Sequence, residues 1–295
     1  MDTQCLAYRL GSRIESIIDD SNLIQGDAGP FNFNKIYDVS KYLSEPSGQL
    51  LRPRILLGAA KPYKPNARVA LTSAAIVEIV HADTLTLDDV MDGAKRRRNK
   101  AATHVKHGLN RALLSCFNLN PQIMRAISSL PLEYALREEI REEINMAQML
   151  LSQGQELDTS QRGKARKLED FAKIFELKTG SLMGTAAAIG GMIGHARKKD
   201  IGHLRSFGVN LGIAYQFFDD WTDRYCDEKD VGKSVGLDAG QKTPFDIAKP
   251  EIVLGESLRY RQIALNELGK IRNKTFEDLV KISVYMFSLS RPKRL

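Results

Sequence analysis

"ARVALTSAAIVEIVHADTLTLDDVMD", residues 67–92, decides the fold. Its Ala, Val, Ile and Leu run on without Pro or Gly, too long for a strand, so the stretch reads as a buried helix. It closes on three carboxylates, Asp88, Asp89 and Asp92, and four cations follow at once in "KRRR", residues 95–98. A helix that ends by crowding like charges needs a reason for doing so.

The pattern on either side is also helical. Residues 1–25 carry apolar positions at helical spacing, and "GDAGPFNF" (26–33) breaks them. After "SEPSGQLLRPR" (44–54) a helix should begin near Arg52-Pro53, since proline suits a first helical turn, and "KPYKPN" ends it. Further helices are expected over 104–118, 121–128, 132–152, 168–176, 179–196, 200–223, 250–271 and 274–289, with glycines such as Gly108 and Gly154 at the joints. Little reads as strand, and "GKSVGLDAGQKTP" (232–244) reads as a loop. No linker stands out, so the expectation is an all-α chain forming one domain over residues 1–295.

Composition agrees. Of the 295 residues 43% are hydrophobic but only 7% aromatic, which favours helices packed through aliphatic side chains over an aromatic-rich sandwich. The net charge of +7 fits a basic surface, a small anion or a nucleic acid. "KRRR" alone would suit nucleic acid, but no aromatic platform or recognition motif accompanies it. Cys5, Cys116 and Cys226 are far apart and form no CxxC pair, which argues against a disulfide framework or zinc site and fits a reducing cytoplasm. The N-terminal stretch lacks the pattern of a signal peptide. No run reaches about 18 uninterrupted apolar residues, so no membrane span is expected.

The acidic crowding recurs. "LDDVMD" and "FDDWTD" both have the form DDxxD, at Asp88-Asp89-x-x-Asp92 and Asp219-Asp220-x-x-Asp223. Positions i and i+4 share a helix face, where like charges destabilise a bare helix by roughly 0.2–0.5 kcal/mol. A hard divalent cation offsets that repulsion, and oxygen ligands suit magnesium, which binds through few carboxylates plus substrate phosphates. A metal–diphosphate assembly is the expected object. Two acidic helix ends facing solvent are the plainer alternative, less compelling for two copies than for one. Arginine, which grips phosphate bidentately, stands close by at Arg97 and Arg98.

These residues resemble the trans-isoprenyl diphosphate synthases, head-to-tail prenyltransferases of the geranylgeranyl and farnesyl type. Besides the two acidic regions, "GQLLRP" (48–53), "THVKHG" (103–108), "GQELD" (154–158), "KTG" (178–180) and "GKSVGLDAGQKT" (232–243) follow the family's order, from about residue 48 to 242. The resemblance implies an isoprenoid synthase-like bundle around a central cavity, a homodimer, and about three Mg2+ ions. Asp88, Asp92 and Asp219 would be direct metal ligands, with Asp89, Asp220 and Asp223 direct or supporting partners. Arg97, Lys178 and Lys233 would hold the allylic diphosphate, assisted by Lys242. Arg52, His81 and Arg98 would hold isopentenyl diphosphate, and Thr179 and Gln216 would line the reacting carbons. The arginines would face diphosphates rather than neutralise the acids.

One departure matters. The family pattern GGKxxRP carries a Lys where this chain has Gln49, and Ser47 replaces its first Gly. A lost charge-assisted hydrogen bond costs on the order of 1.5–3 kcal/mol. This opens the alternative of a weakly active partner subunit, although both acidic clusters are intact. In short-product members aromatics stand four or five positions before the first Asp. Here those positions hold Thr84 and Asp83, with Val80, Met146, Met149 or Leu150 as candidates for a lower floor. The expected product is therefore geranylgeranyl diphosphate (C20), the alternatives being farnesyl (C15) or a chain of C25 or above. A terpene cyclase shares the first DDxxD, but Asp219-Asp220-x-x-Asp223, Lys178-Thr179 and Arg52-Pro53 argue against it.

Overall fold

The computed structural model describes residues 2–20, 35–97, 100–225 and 242–287. They divide into two compact units, residues 1–57 with 65–142, and residues 58–64 with 143–295.

The first unit contains α1 (Thr3–Asp19), α2 (Lys35–Ser44), most of α3 (Leu51–Ala60) and α4 (Ala67–Met91). A two-residue hairpin, β1 (Arg96–Arg97) and β2 (Lys100–Ala101), leads to α5 (Thr103–His107), α6 (Leu109–Ser128) and the start of α7 (Tyr134–Glu156). The decisive stretch is a helix, as its pattern predicts. Asn66 starts it: its Oδ1 accepts from the amides of Arg68 at 2.9 Å and Val69 at 3.2 Å, a cap worth about 1 kcal/mol. Ile76, Val77, Ile79 and Val80 are sealed in the core, where α4 packs on α1 and α6. By length and hydropathy α4 is apolar enough to cross a membrane, but 78% of its most apolar stretch is buried inside the protein, as a core helix would be.

Two local features differ from the sequence reading and a third agrees with it. The "KRRR" run, in which no strand is expected, pairs antiparallel with the chain after it, Arg96 opposite Ala101 and Arg97 opposite Lys100. The helix interrupted at 118 in the sequence reading runs unbroken through Pro121. Proline removes one hydrogen bond to the residue four positions back, and that residue, Phe117, is 79% exposed, on the face where water can satisfy the carbonyl. Gly108, read as a joint, does separate two helices, with a φ of 86° that only glycine adopts freely.

The second unit continues α7 and adds α8 (Leu168–Phe175), α9 (Ser181–Ile193), α10 (Lys198–Tyr225), α11 (Pro250–Gly269) and α12 (Glu277–Tyr285). Two π-helical turns, Leu157–Gln161 and Glu176–Gly180, interrupt this sequence. Every residue of α9 is buried, and α10 packs between α9 and α11. Glycines let α9 and α10 approach. A Cβ on Gly208 would stand 2.3 Å from the Met183 carbonyl oxygen, and one on Gly212 would stand 2.6 Å from the Gly180 Cα. Phe175 is edge-on to Phe217, centroids 4.9 Å apart, beneath the second acidic cluster in sequence.

Candidate functional site

In the first unit the acidic cluster closes α4. The Asp92 amide donates to the Asp88 carbonyl at 2.9 Å, so the two outer aspartates are one turn apart on one face. Asp88 is half-buried and Asp92 exposed, whereas Asp89 is buried. Arg97 reaches back across the hairpin and donates to Asp89 Oδ1 through Nε at 2.8 Å and Nη2 at 2.5 Å. This corrects the expectation that the arginines leave the acids alone. Asp89 is 3% exposed, and a carboxylate so placed needs a cationic partner. Arg52 and His81 also come together, Nη1 to Nε2 at 3.0 Å. Arginine only donates, so His81 Nε2 is the acceptor in this contact. Gln49 lies in the turn before α3, its Oε1 buried without a hydrogen-bond partner among the described residues. Arg98 lies outside the described residues.

The positions expected to govern product length occupy the preceding turns. Val80 is buried, and the Thr84 hydroxyl donates to the His81 carbonyl at 2.9 Å. Asp83 is buried against α6, where the Cys116 thiol donates to the Asp83 carbonyl at 4.0 Å, and Asp83 Oδ1 has no partner among the described residues. Met146 and Met149, considered as a channel floor, are instead 45% and 57% exposed on α7. Residues two positions either side, Ile144 and Leu151, hold the buried face of that helix.

Burial pushes the Asp83 carboxyl up from 3.8 to about 6, against a smaller opposite effect of Cys116. The folded chain therefore keeps that proton to higher pH than the unfolded one. The stability this provides is full below pH 4 and is lost as pH rises through about 6. Asp83→Asn should remove the decline and raise stability at pH 7 by at most about 3 kcal/mol. Urea unfolding at pH 4, 5 and 7 measures it, and an unchanged pH slope in the variant would refute the assignment.

In the second unit the acidic cluster lies near the end of α10 with the same gradation: Asp219 and Asp223 are half-buried and Asp220 buried. Both oxygens of Asp220 are engaged. Gln216 Nε2 donates to Oδ1 at 3.0 Å and Arg162 Nη2 to Oδ2 at 3.1 Å. The Thr179 hydroxyl donates to Gln216 Oε1 at 3.1 Å. Lys178 Nζ donates to Asp158 Oδ2 at 2.6 Å, and Arg162 Nη1 to Asp158 Oδ1 at 3.1 Å. "GQELD", "KTG" and "YQFFDD" are thus joined by side-chain contacts within this unit. Lys242 Nζ donates to the Ala165 carbonyl at 2.5 Å. Lys233 lies outside the described residues.

Sequence reasoning missed Arg162. It sits in the polar stretch "DTSQRGK", and its spacing four residues after Asp158 was the one available signal. The π turns were missed too, although they carry Asp158 and the Lys178-Thr179 pair. Such turns recur at functional sites because they redirect side chains that an α-helix would stack.

Among the described residues, no three acidic, His or Cys side chains converge to hold a metal by themselves. What each cluster offers is a pair of partly open carboxylates one turn apart, hard donors suited to magnesium that brings its own waters and phosphate oxygens. The residues fit such an ion and do not form a closed protein cage.

Comparison with known proteins agrees with this chemistry. Residues 33–244 match the polyprenyl synthetase family. The chain is 30% identical over 253 residues to a geranylgeranyl diphosphate synthase of Sulfolobus acidocaldarius, covering 83% of this chain and 75% of that protein. It is 28% identical to a short chain isoprenyl diphosphate synthase of Methanocaldococcus jannaschii, over 84% of this chain and 76% of that one. The crystal structure of a geranylgeranyl pyrophosphate synthetase from Pyrococcus horikoshii superposes with a TM-score of 0.78 at 24% identity, covering 96% of this chain and 95% of that one.

Proposed function

The chain belongs to the polyprenyl synthetase family, with the all-α isoprenoid synthase fold, and from that premise we propose how it acts as a trans-prenyltransferase of the geranylgeranyl diphosphate type. Its substrates are isopentenyl diphosphate and an allylic diphosphate. The observation that carries the residue assignment is the gradation repeated in each acidic cluster. The middle aspartate is buried on an arginine while the outer ones are at least partly exposed. Asp88, Asp92, Asp219 and Asp223 are then the groups that meet magnesium, about three ions per site, and Asp89 and Asp220 support them. We take the two units as parts of one catalytic domain.

Magnesium held by these carboxylates would supply positive charge to offset the negative charge growing on the leaving diphosphate. Lys178 and Arg97 add positive charge for the same oxygens, as would Lys233, with Lys242 in reserve. The allylic C–O bond breaks, the isopentenyl double bond attacks the resulting carbon, and the departing diphosphate takes the proton lost. Thr179 spends its proton on Gln216, which leaves its oxygen lone pairs to face a positive carbon. Arg52 and His81 bind isopentenyl diphosphate together with Arg98. Their contact with each other supports that grouping, and Gln49, three residues before Arg52, offers a neutral amide where the family pattern has a cation.

Val80, Asp83 and Thr84 include no aromatic, which supports a twenty-carbon product over a fifteen-carbon stop. The test is a magnesium-dependent reaction with isopentenyl diphosphate and each allylic primer, with product length read by mass. Geranylgeranyl diphosphate from a farnesyl primer is expected; a farnesyl product alone, from shorter primers, would refute the length assignment. Activity appearing only after mixing with another subunit would favour the partner-subunit reading that Gln49 raises.

A homodimer is proposed as well. Leu109, Leu113, Leu114 and Phe117 share one stretch of α6 and are 41–79% exposed, and clustered exposed apolar side chains of this kind mark interaction surfaces. Light scattering should give twice 33.0 kDa, and Phe117→Glu should shift the mass to the monomer. A wild-type monomer at micromolar concentration would end the proposal. The scattered cysteines are compatible with work in the cytoplasm.

A further inference from the structure

Arg162 touches no substrate in the prenyl-transfer scheme above and serves there only to bury Asp220, yet its guanidinium is one of the most fully engaged groups in the second unit. It is 7% exposed. Nε donates to the Lys242 carbonyl at 2.7 Å, Nη1 to Asp158 at 3.1 Å and Nη2 to Asp220 at 3.1 Å. Its planar fork therefore has one orientation, lying 5.8 Å from the Phe171 ring centroid. Asp158, on the first π turn, is shared: one oxygen takes Arg162 and the other takes Lys178.

That sharing has a chemical consequence. Lys178 is on a flexible stem and its side chain is 27% exposed, whereas the Asp158 side chain is 10% exposed. For Lys178 to grip a diphosphate it must turn from Asp158. A buried carboxylate left without a cation is heavily penalised, so Lys178 would be trapped on Asp158 if no second partner stood there. Arg162 is that partner, and its other two bonds keep it in place when Lys178 leaves.

We propose that Arg162 is a positioning residue that keeps Asp158 paired, so that Lys178 is free to move onto the allylic diphosphate. The role rests on the reading of Lys178 as a diphosphate-binding cation. It differs from a purely structural one because it predicts a substrate-selective effect that a second substitution reverses.

The experiment compares Arg162→Gln, Arg162→Lys, Lys178→Ala and the double variant Arg162→Gln/Asp158→Asn. Arg162→Gln should raise KM for the allylic diphosphate about tenfold, the scale of one lost charge-assisted contact, with KM for isopentenyl diphosphate within about twofold. Arg162→Lys, which keeps a charge beside Asp158, should recover much of the loss. Adding Asp158→Asn should recover it too, because no carboxylate then holds Lys178. Calorimetric binding of inorganic magnesium diphosphate provides the same comparison without turnover. If Lys178→Ala leaves the allylic KM and diphosphate binding unchanged, the reading of Lys178 fails. If Lys178→Ala weakens both and Arg162→Gln does not, the inference fails alone. Equal changes in the two KM values, no rescue by Asp158→Asn, or unfolding of both Arg162 variants would each overturn it.

Discussion

Asp219→Ala is expected to lower prenyl transfer by about a thousandfold and to leave the fold intact, and Asp88→Ala should do the same. Both carboxylates are half-buried rather than sealed in the core, so removing either opens no large void. Each should lose charge stabilisation of the leaving group, which is required mainly in the transition state, so the loss should fall on kcat more than on KM. The middle aspartates should behave differently. Asp220→Ala removes the acceptor of both Gln216 and Arg162, leaving the buried guanidinium still paired with Asp158, and should destabilise by roughly 1–3 kcal/mol. Steady-state kinetics paired with thermal unfolding separates the two classes. Near-normal turnover in Asp88→Ala or Asp219→Ala would show that these carboxylates do not hold the metal.

The second large effect is predicted for Gly212→Val. A Cβ there would meet the Gly180 Cα at 2.6 Å and the Gly180 amide nitrogen at 2.9 Å. Those atoms are backbone, so no side-chain rotation relieves the clash and the helices must separate. A cost of about 3 kcal/mol or more is expected, a fall in Tm of roughly 10 °C for a chain of this size. Activity should fall further than stability, because Gly212 precedes Gln216 by one turn and Gly180 follows Thr179, whose hydroxyl must reach Gln216. Gly202 on the same helix meets nothing within 4 Å, so Gly202→Ala should be neutral or stabilise by up to about 1 kcal/mol. Equal Tm values for the two variants would show that the close approach is not a constraint.

The parts legible in advance share a physical cause: a helix that buries one face must write its period into the chain. The stretch 67–92 did so, and the two DDxxD clusters were legible because like charges at i and i+4 are conspicuous. What stayed hidden depends on contacts far apart in sequence. Arg162 meets Asp220 across 58 positions and Lys242 across 80, and nothing in "DTSQRGK" records either. The arginine pairing of Asp89 was misjudged because the hairpin that folds Arg97 back was not foreseen from four consecutive cations. Pro121 misled in the opposite direction, as a strong local signal that solvent exposure overrode.

The π turn Glu176–Gly180 has one more consequence. It holds a residue beyond what an α-helical turn would use, so the chain on either side is out of phase by about 100° relative to an uninterrupted helix. A deletion of one residue there would let the turn relax to α-helix and swing α9, every residue of which is buried, off its packing face. Length, as much as residue type, is therefore under constraint at this point. Variation in the chain should consist of substitutions here, and insertions and deletions should gather at exposed corners such as Gly269 at the end of α11, where an added Cβ meets nothing within 4 Å.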